Sequence, residues 1–268
     1  MNKNSFSGGL RKRGTLKKDK KNLPLVSIIT VVLNNKKFLE QSINSVLNQR
    51  YKNHEHIIID GKSTDGTVEI LRKNNSKIDY WVSEKDRGIY NAMNNGIKLS
   101  RGSLIVILNS DDVFYKHALK IATSYFNKYK NIDFLFGSVI KYKLLYGYRP
   151  WKIHWSFGFY STHSIGFFIR EKAQKKVGYY NTKYAYSSDY DFFYRMIVKH
   201  KLKGMATKKN EIFGKFRRGG EGSKLPFNDY LYETVRIRLD NGQNILLVSI
   251  IFLLKYTRYL VNKIFLIQ

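Results

Sequence analysis

Asp111 and Asp112 stand side by side at the end of an apolar run, VILNSDDVFY (106–115), in a chain with 48 Lys and Arg against 20 Asp and Glu. Adjacent carboxylates can hold a hard divalent cation. Mg2+ or Mn2+ is usually bound by one or two carboxylates, with substrate phosphates and water completing the shell. Such an ion neutralises a diphosphate and stabilises it as it leaves. A bare pair of aspartates also makes an Asx turn or a helix cap, and at this point both readings stay open. Two more acid-bearing turns follow apolar runs. Asp60 closes HEHIIID (54–60), and Glu84 and Asp86 come at the end of IDYWVSE (78–84).

These turns belong to a regular series of elements. LVSIITVVL (25–33) follows Pro24, is rich in β-branched residues and predicts a buried strand. FLEQSINSVLNQ (38–49) predicts a helix with Leu39, Ile43, Val46 and Leu47 at helical spacing. HEHIIID is a second strand, closed by the turn DGKSTDG, and TVEILRK starts a helix for which Asp65 is a cap. IDYWVSE is a third strand and SLIVIL (103–108) a fourth, separated by the helix IYNAMNNGIKLS (89–100). A helix over 117–129 and a fifth strand, DFLFGSVI (133–140), come next. Strand and helix alternate at βαβ spacing, which predicts an α/β fold with a mostly parallel sheet and flanking helices. Ligands bind such sheets beyond the carboxyl ends of the strands, where the three acidic turns lie. Past residue 140 the pattern is less regular and more aromatic. Helices are predicted over SDYDFFYRMIVKH (188–200) and PFNDYLYETVRIRLDNG (226–242).

Composition bounds the function. The 268 residues include 43 % hydrophobic and 15 % aromatic side chains, enough for a core and against global disorder. The absence of cysteine excludes disulfides and cysteine metal sites and fits a reducing compartment. The net charge of +28 favours anionic partners: nucleic acid, an anionic membrane or phosphorylated substrates. A Lys- and Asn-rich coding bias gives the same excess. Residues 1–22 carry eight basic residues and one acid, lack a signal-peptide apolar stretch, and read as a flexible basic tail. At the other end, 245–254 is wholly apolar apart from Ser249, about half the ~20 residues of a bilayer span. Lys255, Arg258 and Lys263 then interrupt the run. A basic, apolar helix of this kind suits a membrane interface, and equally a helix packed on the domain.

DGKSTDGT, DRGIYNAMNNGI and LNSDD, in this order after the first strand and helix, closely resemble the family 2 glycosyltransferases. The resemblance covers about residues 24–220, is strongest over 24–115, and looks most like bacterial enzymes of capsule, exopolysaccharide or O-antigen (lipopolysaccharide) synthesis. It implies the GT-A fold. It divides the chain into the basic tail (1–22), a glycosyltransferase domain (23–225) and C-terminal helices (226–268). Within the domain, a nucleotide-sugar half spans about 23–115 and an acceptor half about 116–225.

The resemblance also implies roles. Thr30, Val32 and Leu33 border the nucleotide base, Asp60 recognises it (most often uracil), and Ser63 and Asp65 complete that turn. Asp86, Arg87 and Gly88 match the loop that closes over the nucleotide, with Asn94 on the following helix. The family's usual Asp-x-Asp has Asn109 at its first position here. Asn109 and Ser110 would then adjoin ribose or bound water, Asp111 would be the Mn2+ or Mg2+ ligand, and Asp112 its neighbour. In SSDYDFF, Ser188 replaces the acid of a common Glu-Asp pair, so Asp189 is the expected general base and Asp191 the second choice. His163, and Arg217 and Arg218 in FRRGGEGS (216–223), match positions facing the acceptor or the diphosphate.

The expected activity is inverting, metal-dependent transfer of a sugar from a nucleotide-sugar, UDP-linked by preference, to a glycan or polyprenyl-diphosphate-linked acceptor. The expected place is the inner face of the cytoplasmic membrane. A sugar-1-phosphate nucleotidyltransferase would show a Gly-rich loop after the first strand, which TVVLNNKKF lacks. A nucleic-acid-binding protein would show a recognition motif, and none is evident. A catalytically degenerate family member stays open on the strength of Asn109 and Ser188.

Overall fold

The structure is a computed structural model, and it describes residues 6–155, 164–217 and 226–265. In chain order the strands are β1 (Phe6–Gly8), β2 (Val26–Val32), β3 (His54–Asp60), β4 (Tyr80–Ser83), β5 (Leu104–Ile107), β6 (Val113–Phe114), β7 (Phe134–Phe136), β8 (Ser138–Ile140), β9 (Leu144–Leu145), β10 (Phe167–Arg170), β11 (Gly204–Ala206) and β12 (Ile212–Lys215). The helices are α1 (Lys36–Leu47), α2 (Thr67–Lys73), α3 (Ile89–Leu99), α4 (Ala118–Lys128), α5 (Lys152–Trp155), α6 (Glu171–Val177), α7 (Ser188–Tyr194), α8 (Phe227–Asp240) and α9 (Ile245–Phe265). They form two compact units. The first runs to Tyr148 and takes back two later stretches, one ending at Tyr180 and one starting at Leu202. The second contains the segment from Arg149, Asn181–Lys201 and the C-terminal helices. The expected 23–225 domain is thus shared between two units.

The first unit is built on an eight-stranded sheet of order β1-β4-β3-β2-β5-β10-β7-β11. Its centre, β4-β3-β2-β5, is parallel, as the βαβ spacing requires. β10 runs antiparallel between β5 and β7, so the sheet is mixed. A smaller sheet has the order β6-β12-β8-β9. β2 and β3 are buried along their whole length, because helices cover both faces of a parallel centre. α1 turns Leu39, Ile43 and Val46 inward. α3 lies so close to β2 that a Cβ on Gly96 would stand 2.2 Å from Ile29 Cγ2.

Two expectations about elements are corrected. DFLFGSVI is two strands in different sheets, β7 and β8, joined at Gly137. A Cβ there would sit 2.2 Å from the Phe213 ring, so the chain changes sheets where only glycine fits beneath that ring. Residues 6–22 are not a solvated tail. β1 pairs antiparallel with β4 at the sheet edge, and the basic side chains that follow reach buried acids. Arg11 Nη2 donates to Glu55 Oε2 at 2.5 Å. Glu55 Oε1 also accepts from Ser27 Oγ and the Arg101 N–H. Lys17 Nζ donates to Asp79, whose Oδ2 takes the His56 N–H as well. The arm orders because two carboxylates buried in the sheet need its cations.

The second unit is helical. α8 and α9 share an apolar contact of Leu231 and Ile251 flanked by Phe227, Tyr230, Val235 and Leu247. The Phe227 and Tyr259 rings stack at 4.1 Å. α7 is buried throughout and passes directly into a π-helical turn, Arg195–Lys199, where the sequence predicts one continuous α-helix.

Candidate active site

The register brings the expected donor-site turns to one edge of the first unit. Val32, Asp60 and Ser83 stand abreast at the carboxyl ends of β2, β3 and β4. β5 leaves the sheet after Ile107, opposite Ile29, and its turn Asn109–Asp112 follows at once. Hydrogen bonds tie these turns together. The Asn34 N–H donates to Ser63 Oγ at 2.7 Å, and Asn34 Oδ1 accepts the Thr64 N–H at 2.8 Å. Asn35 Nδ2 donates to Ser110 Oγ at 2.7 Å. Asp65 Oδ2 accepts the Lys36 N–H at the start of α1, and its Oδ1 accepts the Thr67 N–H at the start of α2. The Asp86 loop closes on the same turn, since a Cβ on Gly61 would lie 2.7 Å from Asp86 Oδ2. Asp86 Oδ1 accepts the Gly88 N–H, and Gly88 takes a φ of 105° that favours glycine ahead of α3.

The two adjacent aspartates have different environments. Asp112 is buried and committed. Its Oδ1 accepts the Arg217 N–H at 2.9 Å, and its Oδ2 accepts from Asn109 Nδ2 at 3.2 Å and Ser164 Oγ at 3.3 Å. Burial, and then the charge of Asp111, push its carboxyl up to about 7 against the pull of those donors. Asp111 is half-buried. Burial raises its carboxyl too, opposed by its own N–H and the Arg217 cation. Its carboxylate has no other side chain bonded to it among the described residues. Beside it, Asn109 Oδ1 is buried without a hydrogen-bond partner.

Asp111 and Asn109 Oδ1 are hard oxygen donors of the kind that suit Mn2+ or Mg2+, with Asp112 next to them but already holding three donors. No group of three or more His, Asp or Glu side chains suited to a metal occurs among the described residues. An ion here would draw most of its shell from phosphate and water, as Mg2+ commonly does. Arg217 lies against the same turn. Its Nε donates to the Asp111 carbonyl at 3.1 Å and its Nη2 to Gln41 Oε1 at 3.0 Å, while the guanidinium covers the Phe38 ring at 3.7 Å.

Residues 27–200 match the family model described as glycosyl transferase family 2. The chain belongs to that family. Among curated relatives, an uncharacterized glycosyltransferase of Mycobacterium tuberculosis is 44 % identical over 92 residues, 34 % of this chain and 35 % of its own length. The Escherichia coli protein WfgD, named a UDP-Glc:alpha-D-GlcNAc-diphosphoundecaprenol beta-1,3-glucosyltransferase, is 35 % identical over 115 residues, 42 % of this chain and 45 % of its own. The chain thus spans about a third to a half of the length of these relatives. Among solved structures, Staphylococcus aureus TarS residues 1–349 with UDP-GlcNAc has a TM-score of 0.60 at 15 % identity, covering 85 % of this chain and 70 % of that one. The mannosyltransferase PcManGT of Pyrobaculum calidifontis, in complex with GDP-Man and Mn2+, also scores 0.60 at 16 % identity, covering 85 % and 68 %. These likenesses establish the shared fold.

Within this family 2 chain, several expected site residues have structural partners. Thr30 Oγ1 is spent on His56 Nε2 at 2.9 Å inside the sheet, and Val32 sits in the core with Leu39 and Ile43. Of the three first-strand residues, Leu33 is the exposed one. Asp60 is buried and holds its turn, accepting from Ser63 and from Ser83 Oγ. Asn94, on α3, clamps the Tyr180 backbone. Its Nδ2 donates to the Tyr180 carbonyl at 2.8 Å and its Oδ1 accepts the Tyr180 N–H at 2.9 Å. Arg87 is exposed. His163 and Arg218 lie outside the described residues.

In the second unit, both oxygens of Asp191 are taken, by Arg195 Nε at 2.8 Å and Asn241 Nδ2 at 2.9 Å. Asp189 Oδ1 accepts the N–H of Tyr190 in the first turn of α7. Sequence reasoning missed Asn34, Asn35, Phe38 and Gln41. The one signal for them was the Asn-Asn dipeptide directly after the first strand.

Proposed function

We propose that this family 2 chain transfers a sugar from a nucleoside-diphosphate sugar, with UDP as the preferred nucleotide, to a hydroxyl of a glycan or a polyprenyl-diphosphate-linked saccharide, with inversion at the anomeric carbon. The observation that carries the reading is Asp111. It is an uncommitted, half-buried carboxylate, beside an unpartnered Asn109 oxygen and an arginine, where the strands of a parallel sheet end. That combination of a hard-cation ligand and a guanidinium suits a diphosphate. Asp60, Ser63 and Leu33 line the turn proposed to receive the base, and Asp86, Arg87 and Gly88 the loop proposed to cover it. The names of WfgD and of the UDP-GlcNAc complex favour a UDP-sugar and, more weakly, a lipid-linked acceptor.

In this reading Asp111, with Asn109 and Asp112, would hold a divalent cation. When bound, such an ion supplies charge stabilisation to the departing diphosphate. Arg217, steadied by Phe38 and Gln41, adds a fixed positive charge to the same oxygens. Asp189, in the first turn of α7, accepts the proton of the attacking hydroxyl. The acceptor oxygen forms a bond to the anomeric carbon. The bond to the diphosphate oxygen breaks, and its electron pair leaves with the nucleotide. Positioning and electrostatics carry the rate enhancement, and no covalent enzyme intermediate is needed.

UDP release from a panel of UDP-, GDP- and dTDP-sugars with Mn2+ or Mg2+ tests this. Release from one donor that stops with EDTA and with Asp111→Ala is expected. If no nucleotide-sugar binds in the presence of metal, the reading fails.

A further inference from the structure

α9 has two opposite faces with different fates. Val248 and Ile251 are buried, and Leu247 and Tyr259 half-buried, on the side that meets α8. On the other side Leu246, Ile250, Leu253, Leu254, Leu260 and Val261 are exposed, at 71, 55, 61, 67, 42 and 43 %. Their spacing follows the helical repeat, so they form one stripe rather than scattered positions. At 1.5 Å per residue the stripe is roughly 22 Å long. At 100° per residue, Arg258 falls roughly 100° to one side of the stripe and Lys263 roughly 120° to the other. The strip is apolar apart from Thr257, exposed Ile245, Phe252 and Tyr256 widen it toward Lys263, and an exposed apolar surface bordered by cations is the pattern of a helix lying in a lipid interface.

By length and composition alone, Ile245–Lys263 could also cross a membrane. Two features oppose crossing. Lys255 sits at the middle of the helix. The inner face is bound to α8, which carries Asp229, Glu233, Arg236, Arg238 and Asp240. Spanning would drag those charges toward hydrocarbon, where charged side chains are strongly disfavoured. Lying flat lets α8 stay in water while the stripe alone enters the acyl boundary.

We propose that the exposed stripe of α9 is a docking surface for an anionic lipid bilayer, with the helix parallel to the membrane plane and Arg258 and Lys263 meeting the headgroup phosphates. This gives the lipid-linked acceptor reading a physical location and takes its biological sense from it. α8 carries the connection onward. Glu233 accepts the N–H groups of Ala185, Tyr186 and Ser187 at 2.6, 2.9 and 2.6 Å just before α7, and Asn241 holds Asp191. The helix that meets lipid and the helix that carries Asp189 therefore belong to one packed unit, and docking fixes the proposed base relative to the membrane surface.

The test is flotation of the full chain with vesicles of phosphatidylcholine alone or mixed with phosphatidylglycerol. Binding to the mixed vesicles is expected, with little to phosphatidylcholine alone. Ile250→Glu/Leu253→Glu should lower it more than about tenfold. Arg258→Glu/Lys263→Glu should remove the preference for phosphatidylglycerol, again by about tenfold or more. The altered side chains are exposed, so the circular dichroism spectrum and Tm should not change. Failure to bind mixed vesicles, or binding indifferent to the stripe variants, overturns the proposal. So does protein that resists alkaline carbonate extraction, which means a span, or a dimer that the stripe variants dissociate, which means a second copy covers the stripe. UDP release from free nucleotide-sugar is measured on the same samples. Vesicle binding by a chain that binds no nucleotide-sugar in the presence of metal sinks the transferase reading alone, and release without vesicle binding sinks the membrane inference alone.

Discussion

At the scale of single residues, Asp111 and Asp112 are adjacent but not equivalent. Asp112 is held by three donors and its carboxyl is pushed up to about 7 by burial and by Asp111. A folded-state value above the unfolded one means that the metal-free protein keeps a proton the unfolded chain has lost. Its stability therefore falls as pH rises from the ordinary carboxylate range toward 7. Cation and proton compete for the same oxygens, so Mn2+ affinity should rise with pH through about 7. Titration calorimetry at several pH values checks this, and a pH-independent affinity would remove the aspartates from the cation site. The two helix acids also separate. Asp189→Ala should abolish transfer while donor binding persists. Asp191→Ala should lower Tm, because it leaves the half-buried Arg195 without its ion pair. Phe38→Ala and Gln41→Ala release the Arg217 guanidinium from its two supports. Each should raise the donor KM several-fold with a smaller change in kcat, and equal falls in kcat and kcat/KM would argue for a role in the transition state alone.

At the scale of elements, the N-terminal arm is part of the sheet. Arg11 is 12 % exposed and its partner Glu55 1 %. Removing one member of a buried pair costs about 3–5 kcal/mol, mostly through the charge left behind. Arg11→Ala should show a loss of that order in urea unfolding, and Arg11→Ala/Glu55→Gln should recover part of it. A loss within a few tenths of a kcal/mol would mean that the arm is only resting on the sheet. α3 gives a second test. Gly96→Ala forces a methyl into Ile29, and overpacking of this kind costs about 1–3 kcal/mol. Gly96→Ala/Ile29→Val should regain some of it.

At the scale of the whole molecule, the net charge of +28 acts on every anion. Two kinds of binding should therefore be separable by salt. Association with heparin or RNA should fall steeply with ionic strength and ignore Asp111→Ala. Nucleotide-sugar binding should persist at higher salt and require Asp111. If both respond alike to salt and to Asp111, the charge excess and not a built site governs the binding.

The strands β2 to β5, the helices between them and the acidic turns at their carboxyl ends were legible in the sequence because period-2 and period-3.6 patterns and turn residues are local properties. The motif series from DGKSTDG to LNSDD likewise marked the family. What local pattern does not carry is partner choice. Thr30 and Asn94 are bonded to His56 and to the Tyr180 backbone, partners that no local pattern shows. Residues 6–22 look like a solvated arm until Glu55 and Asp79, far along the chain, appear buried beneath them. DFLFGSVI looks like one strand until Phe213 arrives above Gly137. In α9 the sequence fixes an apolar, basic helix, and only packing on α8 decides which face is left for lipid. The sequence by itself determined the elements and the chemistry available at their ends. The tertiary structure decided which of those groups are spent on each other, because burial favours partnered polar groups, and it left the half-buried Asp111 carboxylate beside the unpartnered Asn109 oxygen.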